Sequence, residues 1–110
     1  MASYAFANPI QKGKLDAWKK YAAEMSGPKR AEFEASRKRV GLSKEKVWLQ
    51  KTPMGDFAVV YWEANDIKKV FEQFATSNDP FDKWFREKVL IEIHGMDLKN
   101  PPPMNEHILG

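Results

Sequence analysis

Two histidines, His94 and His107, are the only side chains in the chain that change charge near neutral pH. His94 ends an apolar run and precedes Gly95, a place where a helix dipole favours an imidazolium. It could serve as a general base or a haem ligand, and equally as a helix cap or packing residue. His107 lies in the C-terminal tail, outside any predicted core. The catalytic residue is therefore unknown, with His94 as the one candidate.

The residue types that hold metals and nucleotides are missing or wrongly spaced. The chain has no cysteine, and the two histidines do not form an HxxxH or HExxH pair. Glycine occurs singly, so no GxGxxG or GxxxxGK phosphate loop is present. We expect neither a metal nor a cofactor.

Four side chains are candidates for lining a small-molecule pocket on the core side of the molecule. Trp18, Tyr61 and Trp84 supply aromatic walls, and Arg37 could give a charge-assisted contact to a planar, weakly anionic ligand. Aromatic residues at helical spacing are also what an ordinary core requires, and that alternative stays open.

Asp79, Asp82 and Arg86 form a short charged cluster. Asp82 and Arg86 are four residues apart, so they could pair on a helix surface while Asp79 caps the helix. This structural interpretation accounts for the cluster without a ligand. Two carboxylates in a dry pocket would instead raise one pKa and create an acid or base.

Composition describes a single domain of 110 residues with a net charge of +3. Residues 12–46 hold eleven Lys or Arg against five Asp or Glu, which indicates either an acidic partner or a solvated basic helix face. No apolar run reaches membrane-spanning length and no signal peptide is evident. We expect a cytoplasmic protein without a membrane partner.

The elements that must position these residues alternate between strands and helices in the order βαββαβ. That order is the ferredoxin-like plan, an α+β sandwich with helices on one face of an antiparallel sheet. Residues 1–98 form this domain, and residues 99–110 form an extended proline-rich arm anchored by Met104, Ile108 and Leu109. The predicted elements begin with a strand at 3–11, a helix from Leu15 that breaks at Gly27-Pro28 and stops at Gly41, and a hairpin over Val47–Ala64. They continue with a helix capped by Asn65 or Asp66, a helix capped by Asp79 that runs to about Ile93, and a short strand at Met96–Leu98. As an alternative, Ile91 and Ile93 begin the last strand.

The hairpin is the most informative of these elements. Thr52-Pro53-Met54-Gly55 predicts a three-residue loop that pairs Leu49 with Val59. Directly opposed residues share a face. One predicted face carries Val47, Leu49, Phe57, Val59 and Tyr61, and the other carries Trp48, Gln50, Ala58, Val60, Trp62 and Ala64.

Both hairpin faces are apolar, whereas a sheet with one wet side alternates apolar and polar residues. Helices of one short chain cover only one side, so we expect a homodimer through the sheet face. The candidate interface residues are Trp48, Gln50, Val60 and Trp62, because tryptophan is enriched in protein contacts. The alternative is a monomer whose tails cover that face. We do not expect nucleic acid as a partner, since the RNP1 pattern is missing and the positive charge lies in the first helix.

Several runs resemble an uncharacterised bacterial family of unknown function in the dimeric α/β-barrel group. The likeness spans roughly residues 8–98 and is carried by WLQ-x-TP-x-GD, DPFD-x-WFRE and IHGMDL. It implies a ferredoxin-like dimer whose sheets pack face to face, with any cavity between helices and sheet. The wider group includes cofactor-free monooxygenases and haem-degrading enzymes, but none of their catalytic motifs can be placed on this chain.

Together these features predict a dimeric protein that binds or transforms a small aromatic or oxygenated metabolite without a metal, in a monooxygenase-like manner. The alternative is a non-catalytic dimeric interaction module. The two hypotheses differ in what occupies the space between the helices and the sheet.

Overall fold

A computed structural model describes residues 1–110 as a three-stranded antiparallel sheet with four α-helices. The α+β prediction is therefore confirmed. The strand order is β1-β3-β2, so β3 is central and the other two strands are edges. The elements are β1 (Ala2–Ile10), α1 (Leu15–Ser26), α2 (Arg30–Val40), β2 (Leu42–Thr52), β3 (Gly55–Ala64), α3 (Ile67–Thr76) and α4 (Pro80–Trp84), which a π-helical segment (Phe85–Ile93) continues.

Local signals in the sequence set most helix boundaries. Gly27 and Pro28 separate α1 from α2, and Gly41 ends α2 in the left-handed region with φ of 89°. Asp66 caps α3 by accepting a hydrogen bond from Lys69 N, and Asp79 caps α4 with Pro80 at its first position. These boundaries were all predictable. Met96–Leu98 forms no strand, so the predicted fourth strand is wrong.

The hairpin register differs from the prediction by one residue. Thr52 opposes Gly55, which leaves the two-residue loop Pro53-Met54 in place of a three-residue loop. Trp48 therefore pairs with Val59, and Val47 pairs with Val60. A shift of one residue turns every side chain of one strand to the other face relative to its partner.

This shift corrects the predicted faces of β3. Val60 and Trp62 face the helices and are buried, so they do not share a face with Trp48 and Gln50. The Trp62 ring centroid lies 4.9 Å from that of Phe71 in α3. Of the four candidate interface residues, only Trp48 and Gln50 lie on the open face of the sheet.

On the open face of the sheet, side chains become larger from β1 to β2. On β1 it carries small residues, including Ala5 and Ala7, and on central β3 it carries half-buried Val59 and Tyr61. On β2 the Trp48 side chain is 54% exposed. The helices therefore cover one side of the sheet and leave the other side open. Trp48 and Tyr61 form an uncovered aromatic ridge on that open side.

The π-helical segment Phe85–Ile93 is long for its type, because π geometry appears mostly as single turns inside α-helices and often at functional sites. It buries Phe85, Val89, Leu90 and Ile93. His94 N donates to Val89 O at 3.2 Å, which is an i to i−5 bond at the end of the segment. The segment thereby places His94 beside the face of the sheet that the helices cover.

The C-terminal arm, residues 99–110, contains neither helix nor strand. Tyr4 Oη donates to Pro103 O at 3.3 Å, and Asn105 Nδ2 donates to Ala5 O, so the arm contacts β1. Ile108 and Leu109 are 80% and 90% exposed, and their predicted role as anchors is wrong. No helix in the chain has the length and apolar character needed to span a bilayer.

Candidate functional site

A cavity of about 550 Å³ lies between the sheet and the elements α1, α2 and the π-helical segment. Its floor is formed by alternate residues of the three strands, as the period of a strand requires. Twelve of its nineteen lining residues are hydrophobic, which leaves a small polar set within an apolar and aromatic wall. The floor residues are Phe6 and Asn8 of β1, Glu45 and Val47 of β2, and Ala58, Val60 and Trp62 of β3.

His94 lines the cavity and is held in one tautomer. Its Nδ1 lies 2.8 Å from Pro9 O, and because a carbonyl oxygen only accepts, Nδ1 carries the hydrogen. Burial lowers the pKa of His94 from its ordinary 6.5, and the bond to Pro9 offsets this only in part. The ring is therefore neutral near pH 7, and its Nε2 is a hydrogen-bond acceptor without a protein partner.

Asn8 is a buried amide that has no side-chain hydrogen bond to the protein, with an exposed fraction of 7%. No fully buried side-chain nitrogen or oxygen in the structure lacks a partner. The Asn8 amide must therefore keep access to the cavity that it lines. Asn8 and His94 are close neighbours, because Pro9, which follows Asn8, holds the His94 ring.

Arg37 approaches the cavity from α2 and is buried between two rings. Its guanidinium carbon lies 4.3 Å from the Phe33 centroid and 4.2 Å from the Phe85 centroid. Arg37 Nε donates to Glu45 Oε1 at 2.8 Å, and Trp62 Nε1 donates to Glu45 Oε2 at 2.8 Å. Nη1 reaches Ser36, while Nη2 has no protein partner and so keeps access to the cavity.

The structure brings together Trp18, Arg37 and His94 among the sequence-derived candidates, since all three line the cavity. Tyr61 lies on the opposite face of the sheet, where its hydroxyl donates to Glu63 Oε2 at 2.8 Å. That bond to Glu63 raises the pKa of Tyr61 above its ordinary value. Assigning Tyr61 to the pocket was wrong because the assumed hairpin register was off by one.

Trp84 is also outside the cavity, contrary to the prediction. Its ring packs edge-on against Tyr21, with centroids 5.4 Å apart, and Lys29 Nζ lies 3.7 Å from its centroid. Trp84 therefore packs α4 against α1 and against the turn before α2. The sequence predicted that Trp84 lies on the core side of the molecule but could not say which residues it packs against.

Asn8 and Glu45 are among the cavity residues that the sequence analysis did not identify. Asn8 occupies the third position of the alternating series Tyr4, Phe6, Asn8, Ile10 and thus shares the core face of β1. A polar residue in such a series is a detectable sign of a site, because buried polar groups require partners. Glu45 offers no comparable sign in the sequence.

A second buried polar cluster lies away from the cavity, around Asp82. Asp82 accepts hydrogen bonds from Ser36 Oγ, from Ser77 Oγ at 2.5 Å, and from Arg39 Nε and Nη2 at 2.8 and 2.9 Å. The predicted Asp82–Arg86 pair does not form, since Arg86 donates to the carbonyls of Phe74 and Ser77. The cluster joins α2, α4 and the loop before α4, and its role is structural.

Burial raises the pKa of Asp82, but the hydrogen bonds from Arg39, Ser36 and Ser77 outweigh it and hold that pKa at about 2. Asp82 is thus ionised at any physiological pH, and it is unsuited to act as an acid or base. No group of three or more His, Asp or Glu residues is arranged to hold a metal ion.

No protein-family model, curated protein or solved structure matches this chain.

Proposed function

We propose that the protein binds a small planar aromatic or oxygenated metabolite in the cavity between helices and sheet. One observation carries the proposal: a cavity of about 550 Å³ is mostly apolar and is lined by three largely buried polar residues whose cavity-facing atoms have no hydrogen-bond partner in the protein. Ligand sites typically enclose roughly 300–1,000 Å³ and combine an apolar wall with a few placed polar groups. Those groups here are Asn8, Arg37 and His94.

Transformation of the ligand, in a monooxygenase-like manner, is the chemical extension of this proposal. Molecular oxygen would be the oxidant, with one oxygen atom replacing two hydrogens on a ligand carbon and the other leaving with them as water. Neutral His94 can accept a proton at Nε2 from a weakly acidic hydroxyl, and Trp18 and Phe33 supply aromatic walls. This step uses no metal ligand. Steady consumption of an oxygenated aromatic by wild-type protein, lost in His94→Gln and retained in His107→Gln, would support catalysis over binding alone.

Native mass spectrometry of freshly purified protein tests binding directly. We expect an added small-molecule mass that denaturation removes. Ala22→Phe fills the cavity from α1 and should abolish retention, and it should also abolish binding of prodan, an uncharged naphthalene dye. Ala23→Phe is the matched control, since its neighbouring position is exposed and does not line the cavity. Equal binding by both variants would contradict the proposal.

We further infer that the chain follows the ferredoxin-like plan without its fourth strand, and that it belongs to the dimeric α/β-barrel group that its sequence resembles. The order β1-β3-β2, with β3 antiparallel to both edges, supports this. In that plan the missing strand would lie beside β1, the edge that the C-terminal arm contacts.

A homodimer through the open sheet face is part of the same proposal. Exposed Trp48 on one edge and the small residues Ala5 and Ala7 on the other make the face complementary to a second copy turned by a two-fold axis. Light scattering at micromolar concentration tests it. We expect Trp48→Lys to give monomers and Met54→Lys, in the exposed turn, to remain dimeric.

The alternative is a non-catalytic dimeric module that acts through its surface, and the uncovered aromatic ridge around Trp48 favours it. Ligand retention and oligomeric state, measured in the variants described above, distinguish the two functions. A protein that dimerises normally but neither retains a ligand nor distinguishes Ala22→Phe from Ala23→Phe is such a module.

A further inference from the structure

We propose that the occupant of the cavity is an uncharged, elongated aromatic molecule with a hydroxyl group at one end and a carbonyl group at the other. His94 and Asn8 recognise the hydroxyl, and Arg37 recognises the carbonyl. The proposal rests on the proposed function, because it specifies the ligand of the same site.

The ionic side chains of the lining cancel one another. Arg37 pairs with Glu45 at 2.8 Å, and Arg30 pairs with Glu34 at 3.0 Å. These four are the only Arg, Lys, Asp or Glu residues in the lining, so the cavity has no net charge with His94 neutral. A charged ligand would lose hydration without gaining a free counter-ion. The weakly anionic ligand expected from Arg37 alone is thus disfavoured.

The polar groups stand at two ends of an apolar floor. Asn8 lies opposite Ala58 on β3, whereas Glu45 lies opposite Trp62, four residues further along the same strand. Four residues of strand span about 13 Å. Between them Phe6 and Val47 flank Val60, and all three are apolar. A ligand that meets both ends must be elongated, with a flat apolar middle.

Each end specifies a different functional group. His94 Nε2 only accepts, so it requires a ligand O–H or N–H, while Asn8 Nδ2 can donate to the oxygen of the same hydroxyl. At the other end Arg37 Nη2 has protons and no protein partner, so it requires an acceptor such as a carbonyl oxygen. Both carboxylate oxygens of Glu45 already accept hydrogen bonds, from Arg37 and Trp62. This end of the cavity therefore offers a ligand only hydrogen-bond donors.

The bonds of His94 make the hydroxyl preference strict. Since Pro9 O fixes the hydrogen on Nδ1, the ring cannot switch tautomer to donate from Nε2. A ligand with an ether in place of the hydroxyl would bury two facing acceptors without a proton. Sites built to bind a polar hydrogen reject the analogue that lacks it far more strongly than they reject a change in size.

Three coumarins test the assignment by fluorescence titration, at a pH where the probe hydroxyl is protonated. 7-Hydroxycoumarin has the hydroxyl and carbonyl at opposite ends, 7-methoxycoumarin lacks the proton, and 7-hydroxycoumarin-3-carboxylate adds a charge. We expect the methoxy and carboxylate analogues each to bind about tenfold more weakly or worse. Equal affinity for all three overturns the proposal, as does tighter binding of the carboxylate.

Variants assign each preference to its residue. His94→Phe should bind the hydroxy and methoxy probes equally, whereas His107→Phe, in the exposed tail, should keep the wild-type ratio. Unaltered discrimination in His94→Phe would overturn the role of His94. Because prodan reports occupancy without a hydroxyl, a protein that binds prodan but no coumarin disproves this inference and leaves the proposed function standing. A protein that binds neither disproves both.

Discussion

The two buried polar clusters of this molecule share one helix and have opposite hydrogen-bonding states. Ser36 and Arg37 are consecutive in α2, yet Ser36 donates to Asp82 while Arg37 reaches the cavity. Around Asp82 every buried side-chain oxygen has a partner, whereas in the cavity the Asn8 amide and His94 Nε2 have none in the protein. A saturated cluster stabilises the fold, and an unsaturated one is available to a ligand.

The difference predicts that substitutions around Asp82 lower the stability of the fold, whereas substitution of Asn8 does not. The Asp82 carboxylate connects elements distant in sequence, so its loss should weaken the whole fold. The Asn8 amide connects nothing within the protein, so its loss should weaken only the recognition of a ligand. The predictions below test that contrast from the largest expected effect to the smallest.

Asp82→Ala should lower the free energy of unfolding by about 3 kcal/mol, because it removes the acceptor of the Ser36 and Ser77 hydroxyls and leaves Arg39 paired with Asp79 alone. Urea unfolding followed by tryptophan fluorescence measures this change. Glu106→Ala, at an exposed carboxylate of the C-terminal arm that forms no hydrogen bond or ion pair, is the control and should change stability little. If both variants unfold at the same urea concentration, the Asp82 cluster does not hold the helices together.

Asp82 should also contribute to the loss of stability in acid. Its folded pKa of about 2 lies below the ordinary 3.8, so the unfolded chain binds more protons and stability falls with falling pH. The contribution, about 2 kcal/mol, is complete above pH 3.8 and is lost as pH falls towards 2. Asp82→Asn cannot titrate, so unfolding measured across this range should be flatter than in wild type. A slope unchanged in Asp82→Asn would assign the loss of stability in acid to other carboxylates.

Asn8→Leu should leave the free energy of unfolding unchanged or raise it by up to about 1 kcal/mol. The substitution replaces an amide without protein partners by an apolar group of similar volume in an apolar cavity. The same variant should weaken binding of 7-hydroxycoumarin. Asn78→Leu, at an exposed position, should affect neither property. Marked destabilisation by Asn8→Leu would show that the amide serves the fold.

The contrast also explains how much of this molecule its sequence could predict. Gly41, Asp66 and Asp79-Pro80 act within one turn of the chain, and each boundary that they predicted is confirmed. The Ser36–Asp82 bond joins residues 46 positions apart, and no local pattern reveals such a pair. The sequence therefore identified the carboxylates of Asp79 and Asp82 but could not predict the hydrogen-bonded cluster around Asp82.

The prediction of the hairpin register was wrong for a different reason. Register is well specified where only one face of a strand is apolar, since a slip would bury polar residues. Both faces of this hairpin are apolar, so pairing Trp48 with Val59 or with Val60 was nearly equivalent by pattern. The wrong choice moved Tyr61 into the pocket and Trp62 out of the core. In contrast Trp18 and Arg37, placed by helical spacing, do line the cavity.

His94 gives the smallest and most specific effect. Burial lowers its pKa below 6.5 against the partial support of Pro9, so the folded state binds fewer protons than the unfolded chain. Stability should therefore be complete above pH 6.5 and decline as pH falls below it, and protonation should also remove the acceptor that holds a ligand hydroxyl. His94→Gln should abolish this decline in urea unfolding, while His107→Gln should retain it, because His107 is exposed in the arm. If the two variants titrate alike, the imidazole is not held neutral by the cavity, and the recognition of a hydroxyl at that end loses its physical basis.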